Sequence, residues 1–336
     1  MPITRKITGV SRGTGGALSG TSTIASGANP YGICISADGA SVYTANNGTT
    51  TASIFSRKTS TGALSGTSTI STGSSTSPYG ICISADGASV YVANTFVSTV
   101  SIFTRNTSTG ALSGTSTIST GSSTFPSFIC ISADGASVYV TNNNTNTVSI
   151  FTRNTSTGAL SGTSTIAAGT NPVGVCISAD GANVYSTASG TVRIFTRNTS
   201  TGALSGTSTI ATGTATWGIC ISADGANVYA VNSGDDTVSI FTRNTSTGAL
   251  SGTSTIATGL SPYNICISAD GASVYVTNNN SATVSIYARN ISTGALSGST
   301  TIATGTTPKG ICISADGKNV YVSNYNSTTV SIFTRS

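Results

Sequence analysis

Short apolar runs recur along the chain, each ended by a turn signal. In one stretch Ile81-Cys82-Ile83 gives way to Ala85-Asp86-Gly87. Val90-Tyr91-Val92 and Val100-Ser101-Ile102-Phe103 follow, then a Ser-Thr-Gly turn and the mostly polar run from Ala111 to Ile118. β-Branched and aromatic residues dominate the first three runs, so the pattern predicts strands rather than helices. The four runs are strands A to D. Ala85-Asp86-Gly87 closes A onto B as a tight hairpin, with glycine supplying the positive φ. In strand D, Leu112, Gly114 and Ile118 are expected on one side and Ser113, Thr115 and Thr117 on the other. Such polarity suits an outermost edge, where an apolar strand would invite pairing with other chains.

This text repeats. Cysteines fall at 34, 82, 130, 176, 220, 266 and 312, with spacings of 48, 48, 46, 44, 46 and 46 residues. Four short antiparallel strands at a period of about 45 residues predict the blade of a propeller. The expected fold is therefore all-β: a closed seven-bladed β-propeller of four-stranded antiparallel blades, forming a single domain over 1–336. The blades fall at approximately 28–73, 74–121, 122–169, 170–213, 214–259, 260–305 and 306–336 plus 14–27. Closure follows from the ends. The chain stops after the seventh strand C, Val330 to Phe333, while a spare strand D, Ala17 to Ala25, precedes the first strand A. The N-terminal strand is expected to complete the last blade. Residues 1–13 are read as a degenerate, disordered lead-in.

The segment Pro78 to Asn94, PYGICISADGASVYVAN, resembles the YVTN-repeat propellers of surface-layer proteins, which are related to lactonase-like seven-bladed propellers. The motif occurs literally at Tyr139-Val140-Thr141-Asn142 and Tyr275-Val276-Thr277-Asn278. Two departures are uniform: Ala85 and its counterparts replace a proline, and cysteine replaces a small residue in strand A. The resemblance implies the fold. It transfers little about activity, because one scaffold hosts many functions.

Composition narrows the partners. Charged residues make up only 7% of the chain and the net charge is +5. The positive excess is scattered over Arg5, Lys6, Arg12, Lys58, Arg193, Lys309 and Lys318. Nucleic acid, which needs a concentrated basic stripe, is not an expected partner. No apolar stretch approaches a membrane span, so no membrane insertion is expected. Nor does an apolar run follow Met1-Pro2-Ile3-Thr4-Arg5-Lys6 as in a signal peptide. The chain reads as a soluble monomer, its surface of Ser, Thr, Gly and Asn compatible with an extracellular, surface-associated or virion setting.

Histidine is absent, all 9 acids are Asp, and the 7 cysteines include no C-x-x-C pair. Neither a metal site nor a cofactor is expected from that inventory, and a Ser-His-Asp triad is impossible. The cysteines read as small buried hydrophobes. Tyr43, Tyr91, Tyr139, Tyr185, Tyr229, Tyr275 and Tyr321 read as packing between blades. Asp38, Asp86, Asp134, Asp180, Asp224, Asp270 and Asp316 lie in the A–B turns, and Arg57, Arg105, Arg153, Arg197, Arg243, Arg289 and Arg335 end strand C. In an up-down meander these share a face, which predicts a ring of structural Asp–Arg pairs. If exposed, each would contribute about 0–1 kcal/mol. Asp235 and Asp236 carry the oxygen ligands of a Ca²⁺ site, but read better as a solvated loop. The sequons at Asn106, Asn154, Asn198, Asn244 and Asn290 read as repeat text.

Function is sought where the repeats disagree, in the D–A and B–C connections that share the opposite face. Just before strand A the blades carry Tyr31, Tyr79, Ser127, Val173, Trp217, Tyr263 and Lys309 in turn. Phe128 and Asn264 replace the following glycine in blades three and six. The expected ligand-binding set is Tyr31, Tyr79, Ser127, Phe128, Trp217, Tyr263, Asn264 and Lys309, an aromatic central mouth suited to a carbohydrate, a small molecule or a protein segment. Phe96, Val97 and Tyr325 join the B–C loops, and blade four, with its shortest loop and Ala188 in place of Asn, forms a notch. The reading this supports is a non-enzymatic binding module with no catalytic residue. The alternatives are a structural surface or virion scaffold without a small-molecule ligand and, last, a degenerate lactonase-like hydrolase relying on Lys309 or Asp235; it stands last because the acidic and histidine residues of such a site have no counterparts.

Overall fold

A computed structural model describes residues 16–336. The expected lead-in, residues 1–13, lies outside the described residues. Seven four-stranded antiparallel sheets form a ring, and the A strands of successive sheets abut around a central channel. The strand Leu18–Ala25 completes the seventh sheet against Thr329–Arg335, from Leu18 opposite Arg335 to Ala25 opposite Thr329. The closure expected from the sequence is thus a seven-blade ring locked by its N-terminal strand. Among the described residues no helix is long and apolar enough to cross a membrane.

One apolar cluster fills each blade interface. Between blades one and two it gathers Tyr43, Ile81, Val90, Val92, Phe103 and Leu112. Ile118 instead packs into the next interface, with Tyr91 and Val138. Leu112 and Ile118 therefore lie on opposite faces of the blade, not on one side. The cause is a bulge: Ile102 faces Ser116 and Thr104 faces Ser113, so two strand-D residues oppose one. Gly114 takes φ +63° within it, a conformation nearly closed to other residues. One inserted residue reverses the alternation.

The Asp–Arg ring is present, with seven ion pairs of 2.7–3.1 Å. Each pair joins neighbouring blades: Arg105 of blade two meets Asp38 of blade one. The arginines are not exposed as the weak-pair estimate assumed, since the Arg105 side chain retains 1% exposure. Its Nε donates to the Tyr43 hydroxyl at 2.7 Å, which donates onward to the Gly110 carbonyl at 2.7 Å. The repeated tyrosines are thus polar bridges as well as packing. In the last interface the Tyr275 hydroxyl donates to the carbonyl of Gly16, so the N-terminal segment supplies the turn that blade seven lacks.

The cysteines are half-buried on the inner strands and unpaired. Burial pushes their thiols up, those of Cys130 and Cys220 to about 12. They are protonated, poorly nucleophilic sulfurs packed against the apolar clusters, as Cys34 and Cys82 are.

Candidate functional site

Six of the seven variable residues lie inside strand A, not before it; Val173 alone precedes its strand, Val175–Ile177. Strand A runs Pro78–Ile83 in blade two and is bulged: Pro78 faces Asn94 and Ile81 faces Val92, so Tyr79 and Gly80 share one partner. Such a bulge re-aims a side chain, here beside the channel. Each bulge follows a residue held at positive φ, such as Asn29 at +53° and Ser77 at +44°. The glycine after the variable residue is needed for close approach. A Cβ on Gly80 would come within 2.4 Å of the Ser127 carbonyl in the next blade. Phe128 replaces it in blade three, where the neighbouring inner strand begins only at Val175.

Hydroxyls from strand B of one blade fix the variable backbone of the next. Thr277 Oγ1 donates to the Lys309 carbonyl at 2.9 Å, Thr187 Oγ1 to that of Trp217 at 2.6 Å, and Ser323 Oγ to that of Tyr31 at 2.5 Å.

Side chains from blades one, two and six then converge across the channel. The hydroxyls of Tyr31, Tyr79 and Tyr263 form a closed three-membered hydrogen-bonded cycle, with Tyr31 donating to Tyr79 at 2.5 Å. Tyr31 stacks on Tyr79 with ring centroids 3.8 Å apart, and Trp217 tilts against Tyr263 at 4.8 Å. Phe128 meets Tyr79 edge-on. Lys309 Nζ sits 4.0 Å from the Tyr263 ring centroid and 5.4 Å from that of Tyr31. Tyr263 is 3% exposed and Tyr31 9%, so the mouth is largely filled by its own side chains.

The remaining members of the expected set stand apart. Ser127 is buried and its hydroxyl donates to the Phe125 carbonyl. Asn264 Oδ1 accepts from the N–H of Ile265. Sequence reasoning left Tyr325 among the loop residues, yet its ring meets that of Tyr31 edge-on at 5.6 Å. It is the only tyrosine in the B–C loops, which was the available signal. Asp235 accepts from the N–H and Oγ1 of Thr214, and Asp236 from the N–H of Ser261, so both carboxylates tie down their own loops.

Burial sets the protonation states. It raises the Tyr31 and Tyr263 phenols well above their ordinary range and brings Tyr79 to about 12. All three remain neutral donors in water near neutrality. Burial acts oppositely on Lys309, bringing its ammonium down to about 8, because the charged form is the one disfavoured. A lysine brought to that range is partly unprotonated near neutral pH and can accept a proton, and the neutral phenols beside it can donate hydrogen bonds.

A family model described as Lactonase, 7-bladed beta-propeller matches residues 14–125, 67–179, 115–218 and 189–301. Similar solved structures include a putative 6-phosphogluconolactonase from Bacteroides uniformis (18% identity, 91% of this chain and 92% of that one, TM-score 0.76). Another, from Bacteroides fragilis, is also described as a putative 6-phosphogluconolactonase (22%, 91% of each chain, TM-score 0.74). A third is the periplasmic gluconolactonase of Pseudomonas aeruginosa (21%, 84% and 87%, TM-score 0.73). At these identities the structures share the fold. A comparison with curated proteins finds no match. The family match overturns the expectation of a non-enzymatic binding or interaction propeller. That expectation rested on the missing His and Glu.

Proposed function

This chain belongs to the Lactonase family of seven-bladed β-propellers, and from that membership and its lysine–tyrosine site we propose that it hydrolyses a cyclic ester. The observation that carries the reading is Lys309, its amine brought to about 8 by burial, beside the tyrosine cycle. The acidic and histidine residues that the family resemblance implies are missing, and Lys309 takes over the base.

Neutral Lys309 takes a proton from water as the water oxygen bonds to the ester carbonyl carbon. The carbonyl π pair moves onto oxygen, which accepts a hydrogen bond from a tyrosine hydroxyl released from the cycle. Collapse expels the ring oxygen, and the Lys309 ammonium returns its proton to that alkoxide. The product is an open-chain hydroxy acid. The phenols suit this role because they stay protonated, and a preorganised donor in a water-poor site contributes more than one in bulk water. Trp217 and Tyr79, the half-buried rings of the mouth, offer apolar surface to the lactone ring.

The test is turnover of five- and six-membered lactones, sugar lactones included, by wild type, Lys309→Met and Tyr263→Phe. Loss of a general base costs about 10²–10⁴-fold in rate, so Lys309→Met is expected to lose at least 100-fold in kcat/KM and Tyr263→Phe about tenfold. Absence of turnover across the series, or unchanged turnover by Lys309→Met, overturns the reading.

A further inference from the structure

Blade four departs from the others in one coordinated way. Elsewhere strand B ends in an asparagine and strand C carries a serine two residues in, as with Asn94 and Ser101, joined at 2.8 Å. Blade four has Ala188 and Arg193 there, and its B–C turn is two residues shorter than that of blade five. Arg193 introduces donors where the other blades place acceptors. Its Nε is buried without a hydrogen-bond partner, and no carboxylate pairs with it among the described residues.

The lost acceptors leave further donors idle. In blades one, six and seven the N–H of the glycine entering strand A donates to the serine at the Arg193 position (Gly27 to Ser53, Gly259 to Ser285, Gly305 to Ser331). In blade five Gly213 donates to Asn232. Gly169 holds that place in the sequence of blade four but takes φ +81°, unlike those four glycines, and its N–H has no acceptor among the described residues. The next N–H is capped by the B–C loop in blades five to seven: Thr214 by Asp235, Leu260 by Ser281 and Thr306 by Ser327. Blade four lacks that loop residue, so Thr170 N–H is uncapped as well.

Blade five shows what such donors accept. The Asp235 carboxylate receives the Thr214 N–H at 2.7 Å and the Thr214 Oγ1 at 2.6 Å. Thr170 occupies the Thr214 position in the sequence of blade four and carries the same two donor groups, an N–H and an Oγ1, with no internal carboxylate. The guanidinium stands beside them, since a Cβ on Gly169 would lie 2.9 Å from Arg193 Nε and 3.3 Å from Nη2. We propose that this notch is a binding site for an external carboxylate, held by Thr170, the Gly169 N–H and the Arg193 guanidinium. A guanidinium and a carboxylate match as a two-bond fork, and the charge strengthens each bond. Phosphate offers the same oxyanion chemistry at the same donors. The site lies on strand C and the D–A connection of blade four, and it does not depend on the hydrolase reading.

Binding is tested by calorimetric titration with acetate and, separately, inorganic phosphate, at ionic strength matched with chloride. Three variants serve. Arg193→Ser removes the cation. Ala188→Asn with Arg193→Ser restores the pair that folds in six other blades. Insertion of Asp-Asp between Gly190 and Thr191 rebuilds the blade-five loop and supplies an internal carboxylate. Wild type is expected to bind acetate saturably, with phosphate competing. Each variant is expected to bind at least about tenfold more weakly, including the insertion, which keeps Arg193. Absence of acetate binding by wild type, or unchanged binding by the restored-pair or insertion variants, overturns the proposal.

Discussion

Arg153→Ala probes the ring of charges between the blades, and its cost can be worked from the contacts. The guanidinium makes four bonds: Nε to the Tyr91 hydroxyl at 2.6 Å, Nη1 to the Gly135 carbonyl at 3.2 Å, and Nη2 to Asp86 at 3.0 Å and to Ser89 at 3.1 Å. The side chain is 1% exposed, whereas that of Asp86 is 44% exposed. Truncation therefore treats the partners differently. Asp86 regains water at little cost, and Tyr91 still donates to the Gly158 carbonyl. The Gly135 carbonyl and Ser89 hydroxyl lose a buried donor, each loss costing about 1–3 kcal/mol. The arginine stem also leaves a space between blades. The expected destabilisation is about 3–5 kcal/mol, in the range for breaking a buried pair from its buried side. Asp86→Asn retains the oxygen that accepts from Ser84 and Ala88 and leaves Arg153 three acceptors. It is expected to cost about 1 kcal/mol, as half-exposed pairs do. Equilibrium urea unfolding, followed by the fluorescence of Trp217 and by far-ultraviolet circular dichroism, measures both. Equal losses in the two variants would refute the reasoning, because the ion pair itself would then dominate.

Acid is expected to loosen the ring. Partial burial works to raise the ring aspartates, but bonds from serine, a backbone N–H and arginine outweigh it and hold them below the usual carboxylate range, Asp316 at about 2. Folded values below the unfolded one of about 3.9 contribute stability that is whole above about pH 4 and is lost as pH falls toward about 2. Urea midpoints measured across that interval check this, and a midpoint flat from pH 5 to 2 would contradict it. Deleting residues 1–27 removes the strand Leu18–Ala25 that pairs with Thr329–Arg335, leaving an open edge on blade seven. Loss of several degrees in Tm and self-association in ultracentrifugation are expected, and neither would occur if closure lay elsewhere.

The architecture was legible because the repeat is nearly uniform, so hydrophobic period and turn chemistry agreed seven times over. The bulges were not. Gly114 reads as an ordinary small residue, yet its positive φ puts Leu112 and Ile118 on opposite faces. The Asp–Arg pairing was legible from the meander, but the depth of the arginines depends on the neighbouring blade and on Tyr43-type hydroxyls that no single repeat reveals. Tyr31, Tyr79, Tyr263 and Lys309 stood out as departures from the repeat. Their convergence from blades one, two, six and seven is a property of the closed ring. Burial, which composition does not show, lowers the basicity of Lys309 and leaves part of its amine neutral near pH 8, and the missing histidine suggested a functional class that the family match overturns.

The central claim is that Lys309 acts as a neutral base on a cyclic ester. Its most direct test is the pH dependence of kcat/KM for the best lactone substrate, corrected for background hydrolysis, in wild type and Lys309→Met. The account predicts a rate that climbs with pH and levels off above an inflection near the Lys309 value of about 8, with that inflection missing from the variant. A wild-type rate that is flat or falls through this interval, or an inflection that survives in Lys309→Met, would contradict it.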